Sequence, residues 1–182
     1  MAYHVTETAI RGVLLLEPQV FADARGFFLE SFNQRDFDAV VGPGHTFVQD
    51  NHSRSCRGVL RGLHFQASQP QGKLVRVTSG RVWDVAVDIY PGSPTFRRWV
   101  GVELAAERPQ LLWIPPGLAH GFLVLSETAD FLYKTTAYYD PAGERCIRWD
   151  DPTLAINWPD PGTALRLSEK DRAGLNLAAA LA

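Results

Sequence analysis

Apolar residues occur along the chain in short runs, and glycine or proline separates most runs from the next. The runs are rich in valine, isoleucine, threonine and aromatic residues, which favour strands. With 15 glycines and 12 prolines between them, the pattern is typical of an all-β sandwich or barrel. The clearest predicted strands are Leu74–Thr78, Val82–Tyr90, Trp99–Leu104, Leu111–Ile114, Gly121–Leu125 and Phe131–Tyr139.

Two of these strands combine apolar and polar faces. Alternate residues of a strand point to opposite sides, so Val82–Tyr90 has one apolar face and one face that carries Asp84. In Phe131–Tyr139 the same period places Tyr133 and Tyr139 together. Polar groups on such strands indicate either a solvent-exposed surface or the lining of a barrel cavity.

Turn and cap residues predict the connections. Ser79-Gly80 is predicted to form a hairpin turn between the first two strands. One helix is predicted at about Gln34–Val41, with Asn33 as N-cap and Gly42 just past its end. A second helix is predicted to start after Ser168.

Length and charge favour one soluble domain that spans residues 1–182. The chain has 182 residues, enough for a core that folds unaided. It carries 18 lysines and arginines against 20 acidic residues, a formal net charge of −2. Proteins that bind nucleic acids or anionic membranes are more often basic, so neither partner is expected.

The remaining composition indicates the cytoplasm. The two cysteines, Cys56 and Cys146, form no CxxC pair and suit reduced thiols better than a disulfide framework. The first residues lack the basic leader and cleavage site of a signal peptide. No run approaches the roughly 18 apolar residues of a membrane span.

Two segments place polar side chains inside otherwise apolar runs. Gly58-Val-Leu-Arg-Gly-Leu-His-Phe-Gln66 contains Arg61 and His64, and Lys73 opens the strand that follows. Trp113-Ile-Pro-Pro-Gly-Leu-Ala-His-Gly-Phe122 is a tight turn into a strand. The two segments resemble the signature segments of cupins.

A metal is not expected as a cofactor. Metal-binding cupins usually present H-x-H followed by Glu, but this chain reads His64-Phe65-Gln66 with no Glu before Gly80. Two imidazoles rarely suffice for a stable metal site.

Without a metal, these residues suit the removal and return of a proton beside a carbonyl. His64 is the natural base, because its ordinary pKa lies near neutrality. Lys73 or Arg61 could stabilise the enolate oxygen. Either Asp171 or Asp84 could hold the imidazole, and spacing does not choose between them. An epimerase also needs a donor on the opposite face, for which the predicted cavity strand offers Tyr133.

The same segments belong to a longer set that resembles the dTDP-4-dehydrorhamnose 3,5-epimerase family over nearly the whole chain. The resemblance implies a mainly β fold, a cupin-like double-stranded β-helix or jelly roll with a few short helices. It also implies a homodimer that needs no cofactor. The matching stretches are Phe21–Phe32, Phe47–Ser53, Gly58–Gln66, Gly72–Val77, Asp84–Asp88, Ser93–Phe96, Trp113–Phe122, Tyr138–Tyr139 and Leu167–Asp171.

The resemblance implies specific chemistry. Members invert C3 and C5 of dTDP-4-dehydro-6-deoxy-D-glucose and form dTDP-4-dehydro-L-rhamnose through an enolate. By similarity, His64 is the proton acceptor, Asp171 completes its dyad and Tyr133 is the proton donor. Lys73 then lies beside the keto oxygen.

The resemblance also implies how the nucleotide is held. Arg25 suits the pyrophosphate because a guanidinium binds phosphate bidentately, and Tyr139 matches an aromatic residue that stacks on thymine. The N-terminal segment with Arg25 crosses to the partner subunit in the family, so each active site is expected to need two chains. The implied substrate-binding positions are Arg25, Phe28, Glu30, Gln49, Asp50, Asn51, Arg61, Asp84, His120, Tyr139, Glu144 and Lys170.

Three alternatives stay open. Relatives that invert only C3 or only C5 in antibiotic sugar pathways keep almost the same motifs. A non-catalytic cupin that binds nucleotide sugars needs the arginines and the stacking tyrosine but no acid–base set. A metal-dependent cupin oxygenase or isomerase requires a bound metal and sensitivity to a chelator.

Overall fold

The computed structural model describes residues 3–182, which are arranged mainly as antiparallel strands. The three helices of this part of the chain are α1 (Gln34–Val41), α2 (Glu169–Arg172) and α3 (Leu177–Ala180). The strands are β1 (His4–Glu7), β2 (Leu14–Glu17), β3 (Val20–Asp23), β4 (Gly26–Leu29), β5 (Gln49–Cys56), β6 (Leu60–Gln66), β7 (Lys73–Ser79), β8 (Arg81–Asp88), β9 (Trp99–Ala105), β10 (Leu111–Ile114), β11 (Leu118–Val124), β12 (Thr128–Thr135) and β13 (Glu144–Cys146).

Two sheets enclose the main core. One has the strand order β1-β2-β10-β7-β12-β5, and the other has the order β13-β6-β11-β8-β9. Val75 and Phe131 of the first sheet share one buried apolar cluster with Val82 and Phe122 of the second. Strands β3 and β4 form a separate hairpin. The predicted jelly-roll architecture, mainly β with short helices, is therefore confirmed.

The predicted Ser79-Gly80 hairpin is wrong. Strands β7 and β8 lie in different sheets and do not pair. The turn instead carries the chain from one sheet to the other, with Gly80 at a φ of 72°. A Cβ on Gly80 would lie 2.0 Å from the Thr128 carbonyl oxygen, so this crossing needs glycine.

The predicted strand Phe131–Tyr139 extends too far. Strand β12 ends at Thr135, whose hydroxyl donates to the Ala137 carbonyl at 2.8 Å and closes a turn. Tyr139 therefore lies beyond the sheet and does not continue the face that carries Tyr133. The predicted strand Val82–Tyr90 also ends early, at Asp88.

Both predicted helices are present. In α1 the Asn33 side chain accepts from the amides of Arg35 and Asp36 at 3.0 and 3.3 Å, and the helix ends at Gly42. Phe37 of α1 is fully buried in a cluster on the outer face of the six-stranded sheet. Among residues 3–182, no helix has the length and apolar content that a membrane crossing requires.

The space between the sheets is apolar at one end and polar at the other. Alternation places Lys73 on the same face of β7 as Val75, and His120 on the same face of β11 as Phe122. Tyr133 shares its face of β12 with Phe131. The polar members of these faces meet in one cavity.

Candidate active site

The polar end of the interior is a cavity of about 340 Å³. This volume is within the range of small-ligand sites, which is about 300–1,000 Å³. Both sheets, the connection from β12 to β13 and α2 contribute to its wall. The lining residues are Asn51, His52, Ser53, Arg61, His64, Lys73, His120, Gly121, Phe122, Phe131, Tyr133, Tyr139, Glu144 and Lys170.

His64 lies against a buried carboxylate. Its Nε2 is 2.7 Å from Oδ1 of Asp171, which is 3% exposed, while the His64 side chain is 23% exposed and borders the cavity. The two atoms meet the distance of an ion pair but not the angle of a hydrogen bond. The structure thereby distinguishes between the two carboxylates that the sequence offered, because Asp171 is the one beside His64.

Local hydrogen bonds fix Asp171. Ser168 caps α2 by accepting from the Asp171 amide at 3.1 Å, and its hydroxyl donates to Asp171 Oδ2 at 2.6 Å. The Gly62 amide donates to Oδ1 at 3.1 Å. Burial raises the pKa of Asp171, but His64, Ser168 and the Gly62 amide outweigh it and lower that pKa to about 2.

A second histidine–aspartate pair stands beside the first. His120 on β11 is opposite His64 on β6 in the sheet register. Its Nε2 lies 3.0 and 3.1 Å from the two carboxylate oxygens of Asp84, and the side chains are 8% and 0% exposed. Burial lowers the pKa of His120, which the nearby Asp84 partly opposes. His120 is therefore held mainly in its neutral form.

The two histidine strands approach each other closely at glycine. A Cβ on Gly62 would lie 2.5 Å from the Gly121 Cα and 2.7 Å from the His120 carbonyl oxygen. Gly62 also has a φ of 120°, which other residues rarely adopt. The side-by-side arrangement of the two pairs therefore depends on this glycine.

Two cations face the same space. Lys73 is 8% exposed. Burial lowers its pKa to about 8, although Asp84 and Glu144 oppose the shift. Arg61 is oriented by Ser55, whose hydroxyl accepts from its Nε and Nη2 at 3.2 and 3.0 Å.

Tyr133 occupies the sheet opposite His64. Strand β12 belongs to the six-stranded sheet and β6 to the five-stranded sheet, so the two side chains enter the cavity from opposite walls. The Tyr133 ring is tilted against Phe131, with centroids 6.0 Å apart. Burial raises the pKa of Tyr133, and Arg61 opposes this rise.

An aromatic platform lies at the mouth of the cavity. The Tyr139 hydroxyl donates to Glu144 Oε2 at 2.7 Å, and Lys170 Nζ donates to Glu144 Oε1 at 2.7 Å. Gln49 accepts from the Tyr139 amide at 3.0 Å and donates to Asn51 Oδ1 at 2.9 Å. This network holds the backbone and hydroxyl of a tyrosine that is 51% exposed.

Four predicted binding residues lie away from the cavity. Arg25 is on the β3–β4 hairpin, pairs with Asp23 at 2.6 Å and is 90% exposed. Phe28 is on the same hairpin and is 64% exposed, and Glu30 directly follows it. Asp50 faces the outer side of the six-stranded sheet, where its carboxylate pairs with a lysine at 2.8 Å. A single chain does not bring these four residues to His64.

Gln66 and Ser55 are supporting residues that the sequence did not single out. The Gln66 amide donates to the Gln69 carbonyl at 2.8 Å, and its oxygen accepts from the Asp140 amide at 2.9 Å. Gln66 stands where metal cupins have the second histidine of H-x-H, and in this chain its side chain anchors the loop that carries Tyr139. The signal in the sequence was that Gln66 is polar and follows His64 by two residues in an otherwise apolar strand, so both side chains lie on the same face.

Comparison with known proteins identifies the family. The family model described as dTDP-4-dehydrorhamnose 3,5-epimerase matches residues 7–179. The chain belongs to this family of isomerases. It is 62% identical over 169 residues to the dTDP-4-dehydrorhamnose 3,5-epimerase of Pseudomonas aeruginosa, a match that covers 93% of each protein.

Solved structures of this epimerase family share the fold. One is a dTDP-6-deoxy-D-glucose-3,5-epimerase from Legionella pneumophila Philadelphia 1 in complex with dTDP-4-keto-L-rhamnose. It is 52% identical with a TM-score of 0.94, and the match covers 97% of this chain and 93% of that one. Another is a 3'-monoepimerase from Streptomyces bikiniensis in complex with dTDP-quinovose, 35% identical with a TM-score of 0.88 and coverage of 94% and 86%.

Proposed function

We propose that the protein inverts C3 and C5 of dTDP-4-dehydro-6-deoxy-D-glucose and forms dTDP-4-dehydro-L-rhamnose by metal-free proton transfer. The observation that carries this proposal is the pairing of His64 with Asp171 on one wall of the cavity and Tyr133 on the other. Inversion requires a base and an acid on opposite faces of the reacting carbon, and this geometry supplies both.

Each inversion moves one proton off the sugar and one proton on. His64 accepts the proton from the carbon beside the C4 ketone, and the C–H electron pair forms an enolate whose charge rests on the keto oxygen. Asp171 stabilises the imidazolium that results. Tyr133 then donates its proton to the opposite face of the carbon, and solvent restores the starting protonation states.

The buried cation beside the histidines suits the enolate. Lys73 carries positive charge below about pH 8, and a fixed positive charge in a buried site stabilises a developing oxyanion strongly. Arg61 lines the same wall and can donate hydrogen bonds to the sugar, whereas His120 keeps its Nε2 beside Asp84 and can accept one. Asp84 supports this group from behind, because it raises the pKa values of both His120 and Lys73.

A second chain completes the nucleotide site in this proposal. Tyr139 stacks on thymine, while Arg25, Phe28 and Glu30 act in the active site of the partner subunit. The exposed hairpin supports this arrangement, because Phe27 and Phe28 are 68% and 64% exposed on it. Large exposed aromatic residues commonly mark a protein interface.

The decisive experiment follows the substrate by NMR in D₂O with catalytic amounts of protein. Loss of both the C3 and C5 proton signals, with an L-configured product, is expected. Loss at one carbon alone favours a single-centre epimerase, the alternative supported by the similarity to a 3'-monoepimerase. Binding of dTDP without exchange at either carbon favours a non-catalytic binding protein and contradicts the proposal.

The two-chain site has its own test. Light scattering at micromolar concentration is expected to give the mass of a homodimer. Arg25→Ala and His64→Ala chains are then mixed after reversible dissociation. Activity is expected to approach about a quarter of the wild-type value, because random pairing gives half mixed dimers with one intact site each. A fully active monomer, or no gain on mixing, contradicts the shared site.

We also propose a cytoplasmic location. Cys56 and Cys146 are both free in the structure, which agrees with a reducing compartment. The nucleotide-sugar substrate expected for this enzyme supports the same location. Cell fractionation with an antibody to the protein tests it, and recovery of the protein outside the cytoplasmic fraction contradicts it.

A further inference from the structure

Cys146 lies beside the His64–Asp171 pair, and neither the proposed reaction nor the family resemblance gives it a role. Strand β13 pairs with β6 so that Cys146 is opposite His64. At the next position Leu63 and Ile147 exchange both backbone hydrogen bonds, at 3.0 and 2.9 Å. Cys146 and His64 therefore form the non-hydrogen-bonded type of antiparallel pair, whose side chains are closer together.

Three donor atoms of different elements converge here. One ligand atom each from His64, Asp171 and Cys146 lies within 4.8 Å of the others. The three residues come from β6, α2 and β13. The buried Nε2 of His64 has no correctly directed hydrogen-bond partner among residues 3–182. A nitrogen of the His64 imidazole thus lies within 4.8 Å of both a carboxylate oxygen and the thiol sulfur.

This combination matches the ligand preference of zinc. Zn²⁺ binds thiolate sulfur at about 2.3 Å, and imidazole nitrogen and carboxylate oxygen at about 2.0–2.2 Å. Tetrahedral geometry at those lengths separates the ligand atoms by about 3.3–3.8 Å. Shifts of about 1 Å are therefore enough to form a three-ligand site. His64 borders the open cavity, which gives an ion a path and provides space for a water as fourth ligand.

We propose that His64, Asp171 and Cys146 form an inhibitory site for a thiophilic divalent cation such as Zn²⁺. The cation accepts the Nε2 lone pair of His64, one lone pair of the Asp171 carboxylate and the Cys146 thiolate. The thiol proton leaves to solvent, and no electron is transferred.

Metal binding removes the base. A neutral imidazole has one nitrogen lone pair. When Nε2 of His64 gives this pair to the metal, Nδ1 carries the hydrogen and cannot accept a proton from the sugar. The inhibitory consequence rests on the function proposed above, whereas metal binding itself does not, so the two are measured separately.

Binding is measured without turnover. Chelator-treated protein is titrated with Cd²⁺, a spectroscopic substitute for Zn²⁺, and the ultraviolet charge-transfer band of the cadmium–thiolate bond is recorded. The wild type is expected to show a band that saturates at one ion per chain. The matched control is Cys56→Ser, because Cys56 is the other cysteine and lies outside this cluster. The band is expected to persist in Cys56→Ser and to vanish in both Cys146→Ser and Cys146→Ala.

Inhibition is measured as epimerase rate against free Zn²⁺, with each variant compared with its own rate in chelator. Cys146→Ser is expected to raise the half-inhibiting Zn²⁺ concentration at least about tenfold, because loss of even an outer-shell partner costs about 10- to 100-fold in metal affinity. Cys56→Ser is expected to match the wild type.

Each result supports or overturns the inhibitory site. A band that persists without Cys146, or that disappears with Cys56, overturns the ligand assignment. Equal Zn²⁺ sensitivity of Cys146→Ser, Cys146→Ala and the wild type overturns the inhibition. Two Cys146 variants with intact circular dichroism exclude misfolding as the cause of a lost band. A saturating band in a protein without epimerase activity overturns the proposed function but not the site.

Discussion

The two histidine–aspartate pairs use the same residue types on adjacent strands, yet their surroundings differ. The His64 side chain is 23% exposed and borders the cavity, while Asp171 stands behind it at 2.7 Å. The His120 side chain is 8% exposed, and Asp84 behind it is fully buried. The first imidazole can reach a substrate and the solvent, and the second is almost enclosed.

Exposure and neighbouring charge therefore suit chemically identical pairs to different tasks. An imidazole that is open on one side can pick up and release a proton in each cycle. Burial lowers the pKa of His120. This imidazole is therefore better suited to be a fixed hydrogen-bond donor to Asp84, beside Lys73, than to carry a proton. The difference cannot be read from residue types, and it predicts rate losses of very different size for matched variants.

The largest contrast is expected between His64→Asn and His120→Asn. His64→Asn should lower the rate of deuterium exchange by at least about 10³, in the upper part of the range for an acid–base residue. It should leave dTDP affinity nearly unchanged. His120→Asn keeps a donor to Asp84 and should cost only about tenfold. Exchange is followed by NMR and dTDP affinity by calorimetry; equal losses would remove the distinction between the pairs.

Tyr133→Phe should separate proton removal from inversion. The variant loses the acid on the opposite wall, so formation of the inverted product is expected to fall by about 10². His64 can still remove a proton and return deuterium to the same face, so exchange into the starting sugar should continue. NMR in D₂O reports both rates, and a parallel loss of exchange and inversion would assign Tyr133 another role.

Asp171→Asn should reveal how much the His64–Asp171 pair contributes to the free energy of unfolding. The folded-state pKa of Asp171 is about 2, below its ordinary 3.8. The stabilisation is therefore present above about pH 4 and is lost as the pH falls towards 2. Wild type should exceed the variant in free energy of unfolding by about 2 kcal/mol at pH 7 and by about half of that at pH 3. Urea unfolding at both pH values measures the gap, and a gap independent of pH contradicts this account.

Asp84→Asn should have the smallest effect, visible mainly at alkaline pH. In the wild type the Asp84 carboxylate favours the ammonium form of Lys73, whose pKa is about 8. Loss of this negative charge should lower the pKa of Lys73 below that value. If this pKa falls by one unit, the charged fraction at pH 8 drops about fivefold. A pH–rate profile should show the alkaline limb at lower pH. Lys73→Arg is the control, because an arginine does not titrate there, and an unshifted limb in Asp84→Asn would contradict the coupling.

Local patterns predicted elements better than connections. The helix Gln34–Val41 was predicted with its boundaries because its caps are local, and the predicted strands are present because alternation is local. The Ser79-Gly80 turn was misassigned because a glycine turn has the same sequence whether it joins paired strands or two sheets. Tyr139 was placed on the wrong element because the turn at Thr135 depends on a side-chain hydrogen bond.

Residue spacing predicted a set of site residues but not their pairs, whereas the family resemblance predicted the His64–Asp171 pair that the structure brings together. Spacing left both Asp84 and Asp171 open as partners of His64, because only the fold brings residues so distant in sequence together. Gln66 and Cys146 were not singled out as site residues because the contacts that draw attention to them are with residues elsewhere in the chain.

Tyr139 lies on a loop outside the sheet, so substitutions around it can be separated from substitutions in the strands that carry the acid–base residues. In the proposed mechanism the proton-transfer residues His64 and Tyr133 sit on β6 and β12, whereas the aromatic platform lies on the connection from β12 to β13. A loop can accept insertions and substitutions that a paired strand cannot. If Tyr139 stacks on the nucleobase as proposed, nucleobase preference can change through the length and composition of this loop while the stereochemistry of the reaction stays fixed, so the two traits are open to separate selection.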